Sequence, residues 1–139
     1  MTNLFKEFVL VKSMKTKLLL DTNFLIYLAK YGMFELLREQ HADLLVIESV
    51  ITELKKLSSK GADKANAMIA LEIINRWKIP VIDMDIRDTD KGILKAASDL
   101  KNNGENAMVG TMDRGLSEKL EKAGIKILRI RQKKHFIEG

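Results

Sequence analysis

Short apolar runs alternate along this chain with segments whose apolar residues recur at helical spacing. The runs predict five buried strands, at residues 18–20, 44–47, 79–82, 107–110 and 125–130. The helical spacing predicts helices over residues 24–31, 33–39, 50–57, 65–77, 93–100 and 116–122. Such alternation is typical of parallel strands joined by right-handed helical crossovers. We therefore expect an α/β fold, a three-layer sandwich whose central parallel sheet of about five strands is flanked by helices.

Individual residues predict where several of these elements begin and end. Ser49 is placed to cap the helix that follows the second strand. Gly32 interrupts two helical segments, and the turn ending in Gly104 closes a later helix. Pro80 lies near the beginning of the third strand, where proline is best tolerated.

The length of 139 residues fits one domain, which we assign to residues 14–139 with a basic C-terminal end. We expect residues 1–13 to be an N-terminal extension, either helical or disordered. No apolar run approaches the roughly 20 residues that a membrane-spanning helix needs, and no signal-peptide pattern is present. We expect a cytoplasmic protein without membrane association.

Residue usage limits the chemistry that a site in this chain can use. The sequence has no cysteine and two histidines, which excludes a disulfide framework and a cysteine-ligated metal centre. A bound metal would therefore be held by oxygen atoms. The formal net charge of +5 is compatible with a polyanionic partner such as nucleic acid.

Acidic residues follow four of the predicted strands. Asp21 follows the first strand, Glu53 lies one helical turn after the second, and Asp113 follows the fourth. The third strand is followed by the acidic residues Asp83, Asp85, Asp88 and Asp90. Parallel strands bring their carboxyl ends to one edge of the sheet, where ligands bind. Carboxylates gathered there repel each other unless a cation joins them, so the pattern favours a divalent metal site.

Three of these acidic segments resemble motifs of the PIN-domain ribonucleases. The segment Leu18–Asn23, reading L-L-L-D-T-N, is similar to the opening motif of that family. The segment Val50–Leu54 resembles its helical glutamate motif, and Val109–Arg114 resembles its T-x-D motif. The ending from Gly124 to Lys134 is similar to archaeal members of the Fcf-type branch, which processes rRNA. The resemblance covers about residues 17–134.

The resemblance implies a PIN-like fold and an endoribonuclease that hydrolyses RNA phosphodiester bonds with Mg²⁺ or Mn²⁺. The catalytic and metal-binding residues would then be Asp21, Glu53, Asp90 and Asp113. Asn23 and Thr111 would support those carboxylates by hydrogen bonds. Candidate contacts to RNA phosphates are Lys91, Arg114, Arg131, Lys133 and Lys134.

One motif departs from the family pattern. Relatives often carry two adjacent aspartates, as in A-D-D-A-I-L, where residues 89–94 of this chain read T-D-K-G-I-L. Asp90 keeps the first acid, but Lys91 stands at the second. Either Asp90 or Asp88 supplies the third carboxylate, or the chain is an RNA-binding or assembly protein without nuclease activity.

Within the nuclease interpretation, two biological roles remain open. The protein either matures rRNA on a ribosome precursor or acts as a toxin that an antitoxin protein restrains, and either form could be a homodimer. A different enzyme class is a weaker alternative, because Asp83-Met84-Asp85 resembles the D-x-D motif of aspartyl-phosphate phosphatases.

Overall fold

The computed structural model describes residues 15–131 and 135–138. The strands are β1 (Lys17–Leu20), β2 (Asp43–Ile47), β3 (Val81–Ile82), β4 (Ala107–Gly110), β5 (Lys126–Arg131) and β6 (His135–Glu138). The helices are α1 (Thr22–Lys30), α2 (Phe34–Arg38), α3 (Glu48–Leu57), α4 (Lys64–Arg76), α5 (Thr89–Asn102) and α6 (Arg114–Lys122). The extension expected at residues 1–13, and also Lys133 and Lys134, lie outside the described residues.

The six strands form one sheet in the order β3-β2-β1-β4-β5-β6. Strands β1 to β5 are parallel, as expected, whereas β6 runs antiparallel to β5 and was not predicted. The chain moves outward from β1 to β3 and then returns to place β4 beside β1. The direction of winding therefore reverses between β1 and β4, the place where ligands bind in open α/β sheets.

The central strands are buried as their continuous apolar runs predicted. Leu18, Leu19 and Leu20 of β1 have essentially no exposed surface. Phe24 of α1 packs against the end of β4, where an added Cβ on Gly110 would lie 2.8 Å from the Phe24 ring. A glycine at the end of β4 therefore lets α1 approach the sheet closely beside the β1–β4 boundary.

Several element boundaries differ from those predicted. The Ser49 cap is wrong, because β2 runs directly into α3 and the cap position falls on Ile47, which makes no side-chain cap hydrogen bond. Strand β3 is confined to Val81 and Ile82, after Pro80. Helix α5 begins four residues earlier than the apolar spacing indicated, because Asp88 caps it through a hydrogen bond to the Lys91 N–H.

Gly32 and Gly104 both adopt positive φ angles at helix ends, as their positions predicted. Within the described part of the chain, no helix has the length and apolarity needed to cross a membrane.

Candidate active site

A cleft of about 460 Å³ opens at the carboxyl ends of β1 and β4. It therefore lies where the winding of the sheet reverses. Its lining residues come from four helices and the segments that precede them: Asp21, Thr22, Asn23, Glu53, Lys56, Leu57, Thr89, Asp90 and Asp113. All four carboxylates proposed from the sequence as the acidic set line this one cleft.

Asp21 is the most firmly held of these carboxylates. Its backbone N–H donates to the Gly110 carbonyl at 2.9 Å, which fixes it between β1 and β4. Its Oδ1 accepts from the Thr22 backbone N–H at 2.8 Å, and its Oδ2 accepts from Thr111 Oγ1 at 2.8 Å. Only 7% of the residue is exposed. Both oxygens are oriented by the protein, so the side chain is preorganised for a ligand at the cleft.

The position of Asp21 carries an electrostatic cost. Burial raises the pKa of Asp21 above its ordinary value, and the nearby Asp90 and Glu53 carboxylates raise it further. The hydrogen bonds from Thr111 and Thr22 lower the pKa and partly offset these effects. The site thus concentrates negative charge that the fold does not fully compensate.

Glu53 reaches the cleft from the second turn of α3. Its Oε1 accepts a short hydrogen bond from the Thr22 hydroxyl. Thr22 therefore binds two acids at once, Glu53 through its side chain and Asp21 through its backbone N–H. The residue after the strand-end aspartate links β1 to α3.

Asp113 caps α6 and is linked to Asp21 through one hydroxyl. Its Oδ1 accepts from the Leu116 N–H at 2.9 Å, which satisfies a free N–H in the first turn of the helix. Its own backbone N–H donates to Thr111 Oγ1 at 3.1 Å. Because Thr111 donates to Asp21 and accepts from Asp113, this buried threonine fixes the separation of the two strand-end acids.

Asp90 lies in the first turn of α5. Burial raises the pKa of Asp90, and the carboxylates of Asp113, Asp88 and Glu53 raise it further. Lys119 of α6 is the cation that acts in the opposite direction. Asp90 is therefore close enough to Asp113 and Lys119 for their charges to affect its ionisation.

The other sequence candidates occupy different places. Asn23 lines the cleft but is exposed, and in the described structure the supporting hydrogen bond to a carboxylate comes from Thr22 instead. Lys91 and Arg114 are exposed and do not line the cleft, and Arg131 is exposed at the end of β5.

The remaining acids after β3 do not join the carboxylate set. The Asp88 side chain is engaged in capping α5. Asp83 and Asp85 line a separate depression formed with the C-terminal half of α5. Neither aspartate of the D-x-D segment lines the cleft, although Asp85 borders a neighbouring depression that Glu53 also lines.

Sequence reasoning missed three residues of the site. Thr22 is part of the D-T-N segment, but its hydrogen bond to Glu53 depends on the packing of α1 against α3. Lys56 follows Glu53 by three residues, a helical spacing that places both on one face of α3. Lys119 gave no local signal, because its position near Asp90 depends on how α5 and α6 pack.

The donor chemistry of the cleft suits a hard divalent cation. Carboxylate oxygens from Asp21, Glu53, Asp90 and Asp113 are the ligands that Mg²⁺ and Mn²⁺ prefer. In the described part of the chain, no group of three or more acidic or imidazole side chains is close enough together to hold an ion as it stands. A cation bound among them would offset the burial and mutual repulsion that raise the pKa of Asp21 and Asp90.

The chain is similar to known proteins over most of its length. The chain is 32% identical over 129 residues to Ribonuclease VapC4 of Methanocaldococcus jannaschii, covering 86% of this chain and 94% of that protein. The sequence model of the family described as a PIN-like domain matches residues 18–133 of this chain. The matched range includes all four cleft carboxylates. It also includes all of β1 to β5 except Lys17, the first residue of β1. The chain belongs to the PIN-like domain family.

Proposed function

We propose that this protein is an endoribonuclease that hydrolyses RNA phosphodiester bonds with the help of Mg²⁺ or Mn²⁺. The observation that carries the proposal is that four carboxylates line one cleft at the β1–β4 boundary. Each is positioned by a different helix, either within the helix or directly before it. The similarity to Ribonuclease VapC4 supports RNA as the substrate.

Each cleft residue has a role that follows from its contacts. Asp21, Glu53, Asp90 and Asp113 would hold the ion. Such an ion lowers the pKa of a bound water and neutralises charge on the phosphate. Thr22 and Thr111 orient the acids through the hydrogen bonds described above. Lys56, which lines the cleft, and Lys119, which acts on Asp90, would attract the RNA backbone.

The proposal is tested by assaying hydrolysis of single-stranded RNA with Mn²⁺, with Mg²⁺ and with a chelator. Asp21→Asn and Asp113→Asn keep the shape of the side chain but remove a charged ligand. We expect each to lower the cleavage rate by about tenfold or more, because lost charge at the ion weakens stabilisation of the transition state.

Asp63→Asn is the matched control, since Asp63 precedes α4, makes no cap hydrogen bond and does not line the cleft. It should cleave RNA like the parent protein. Cleavage that survives both Asp21→Asn and chelation would contradict the proposal.

A nuclease-inactive RNA-binding or assembly protein is the second candidate. The observation in its favour is that Lys91 stands where relatives often carry the second of two adjacent aspartates. RNA binding without hydrolysis at any concentration of Mn²⁺ or Mg²⁺ would select this candidate.

Two biological roles are compatible with this activity. The similarity to Ribonuclease VapC4 favours a toxin ribonuclease, active in the cytoplasm and restrained by an antitoxin protein. Maturation of rRNA on a ribosome precursor, as in the Fcf-type branch, is the competing role. Expression of the protein alone should arrest growth in the first case, whereas its loss should cause precursor rRNA to accumulate in the second. Sedimentation would test the homodimer.

A further inference from the structure

A second groove, larger than the cleft, lies at the amino ends of β1 to β3, opposite the carboxyl ends where the cleft opens. It has a volume of about 650 Å³ and is formed where β2 begins and where α2 and α4 end. Its charged lining consists of five Lys or Arg side chains, one imidazole and one carboxylate: Lys15, Lys17, Arg38, Arg76, Lys78, His41 and Asp43. Nothing in the proposed catalytic chemistry uses these residues.

Three carboxylates pair with Lys and Arg side chains of this basic groove, so they do not balance the positive charge of all five. Lys15 and Lys17 share the single lining acid, Asp43, at 3.2 Å and 2.8 Å. Arg38 and Arg76 each approach a glutamate of their own helix, but both pairs are exposed to solvent. Exposed pairs of this kind contribute little, so the arginines can exchange their partners for a phosphate.

Lys78 is the groove cation that has no carboxylate partner among the described residues, and its backbone is unusual. It has a φ of +53° directly after the C-cap of α4, where the Ile79 N–H donates to the Ile74 carbonyl. A left-handed residue at this position of a helix end is usually glycine. The chain does use glycine after α5 and α6, at Gly104 and Gly124.

His41, three residues after the end of α2, is a second non-glycine residue with a positive φ. Its φ is also +53°, and it lines the same groove. At both helix ends that border the groove, a nitrogen-bearing side chain thus stands where glycine would avoid backbone strain. Both residues line the groove.

The wall of the groove offers a flat, cation-bearing aromatic surface. The Arg38 guanidinium lies over the Trp77 ring at 4.8 Å from its centroid, and Trp77 in turn packs edge-on against Phe34. The indole is therefore held in place while the guanidinium remains exposed on it.

We propose that this basic groove binds the phosphate backbone of RNA at a distance from the cleft. The positive charge, the Lys78 ammonium that meets no carboxylate among the described residues, and the open shape all fit an extended polyanion. The strands of the sheet separate the groove from the cleft, so one RNA must be long enough to pass around the sheet to reach both. The inference rests on RNA being the substrate, as proposed above, but not on hydrolysis.

The test uses Lys78→Gly and the double variant Lys78→Gly/Arg38→Gln in the full chain. Glycine removes the charge and also relieves the strain at φ +53°, so Tm should stay the same or rise. Lys122→Gln is the control, because Lys122 is an exposed lysine of α6 that lines neither the groove nor the cleft.

Binding is measured by fluorescence anisotropy with a long single-stranded RNA at several salt concentrations, in metal-free buffer so that the RNA stays intact. The slope of log affinity against log salt should fall by about 0.7 for each groove cation removed. The control should keep the parent slope. Unchanged slopes in both groove variants would overturn the proposal. It would also be overturned if an acidic protein competed tightly for the groove and RNA did not.

Cleavage assays separate this proposal from the proposed function. With long RNA, the groove variants should raise KM and leave kcat unchanged, while a short oligonucleotide that only the cleft can hold should be cleaved as by the parent protein. If no RNA is cleaved but the salt slopes change as expected, the proposed hydrolysis is wrong and the groove proposal is supported. If RNA is cleaved and the groove variants match the control with both substrates, the groove proposal fails alone.

Discussion

Replacing Thr111 by valine should uncouple the two strand-end acids of the cleft. Thr111 is 2% exposed, donates to Asp21 Oδ2 at 2.8 Å and accepts from the Asp113 N–H at 3.1 Å. Valine has nearly the same shape but can neither donate nor accept. The substitution therefore removes two hydrogen bonds while leaving the packing around the end of β4 largely intact.

The magnitude follows from the kind of bonds that are lost. A hydrogen bond to a charged carboxylate contributes about 1.5–3 kcal/mol, and one between neutral groups about 1 kcal/mol. The added methyl group of valine returns about 0.8 kcal/mol through burial. We expect the free energy of unfolding to fall by about 2–3 kcal/mol, which lowers Tm by roughly 6–12 °C in a chain of this length.

The loss should depend on pH in a defined direction. Because the folded pKa of Asp21 is raised above its unfolded value, the free energy of unfolding falls as pH rises through the folded pKa. The Thr111 hydrogen bond lowers that pKa, so Thr111→Val raises it further and extends the fall to higher pH. The difference between variant and parent should be smallest in acid, where Asp21 is protonated in both, and largest near neutrality.

Urea unfolding in metal-free buffer, repeated from acid to neutral pH, measures this difference. Thr111→Ser is the matched control, since it keeps the hydroxyl and loses only a buried methyl group. If the valine and serine variants have the same free energy of unfolding at every pH, the hydrogen bond to Asp21 does not hold the site, and the reasoning is refuted.

Three further predictions address the metal, the packing and the departure at Lys91. Mn²⁺ at a hundred times its dissociation constant should stabilise the protein by about 2.7 kcal/mol, and a Tm that does not respond to Mn²⁺ would contradict a metal site. Gly110→Ala should lower the free energy of unfolding by about 1–3 kcal/mol in urea melts, because its Cβ would meet the fully buried Phe24 ring at 2.8 Å. Lys91→Asp should raise Tm slightly, since an acid in the first turn of α5 is worth about 0.3–1 kcal/mol. The same variant should leave Mn²⁺ affinity within about twofold of the parent in titration calorimetry, because Lys91 does not line the cleft; a gain of tenfold would place it at the ion.

The parts of the site that depend on strand ends could be predicted from the sequence. Asp21 and Asp113 come directly after apolar runs, and parallel connections bring such residues to one edge whatever the details of packing. The fold class followed from the same alternation of strand and helix. Neither inference needed to know which side chains touch.

The parts that depend on how two elements pack could not be predicted. Lys119 lies in the last turn of α6, and only the placement of α6 beside α5 brings it near Asp90. The cap at Ser49 failed for a related reason, because the absence of any residue between β2 and α3 shifts the start of the helix. Strand β6 pairs with β5 through residues whose short, partly charged run carries no clear strand pattern.

The packing of α5 also explains why the lysine in the third acidic segment need not disable the cleft. Successive residues of a helix point about 100° apart, so two adjacent acids in the first turn cannot both face the same ligand equally. In this chain Asp90 lines the cleft and Lys91 is exposed beside it. The cation that acts on Asp90 is Lys119, from another helix. The four carboxylates that face the cleft therefore remain together despite the lysine, and the charge at position 91 bears on the stability of α5 more directly than on an ion at Asp90.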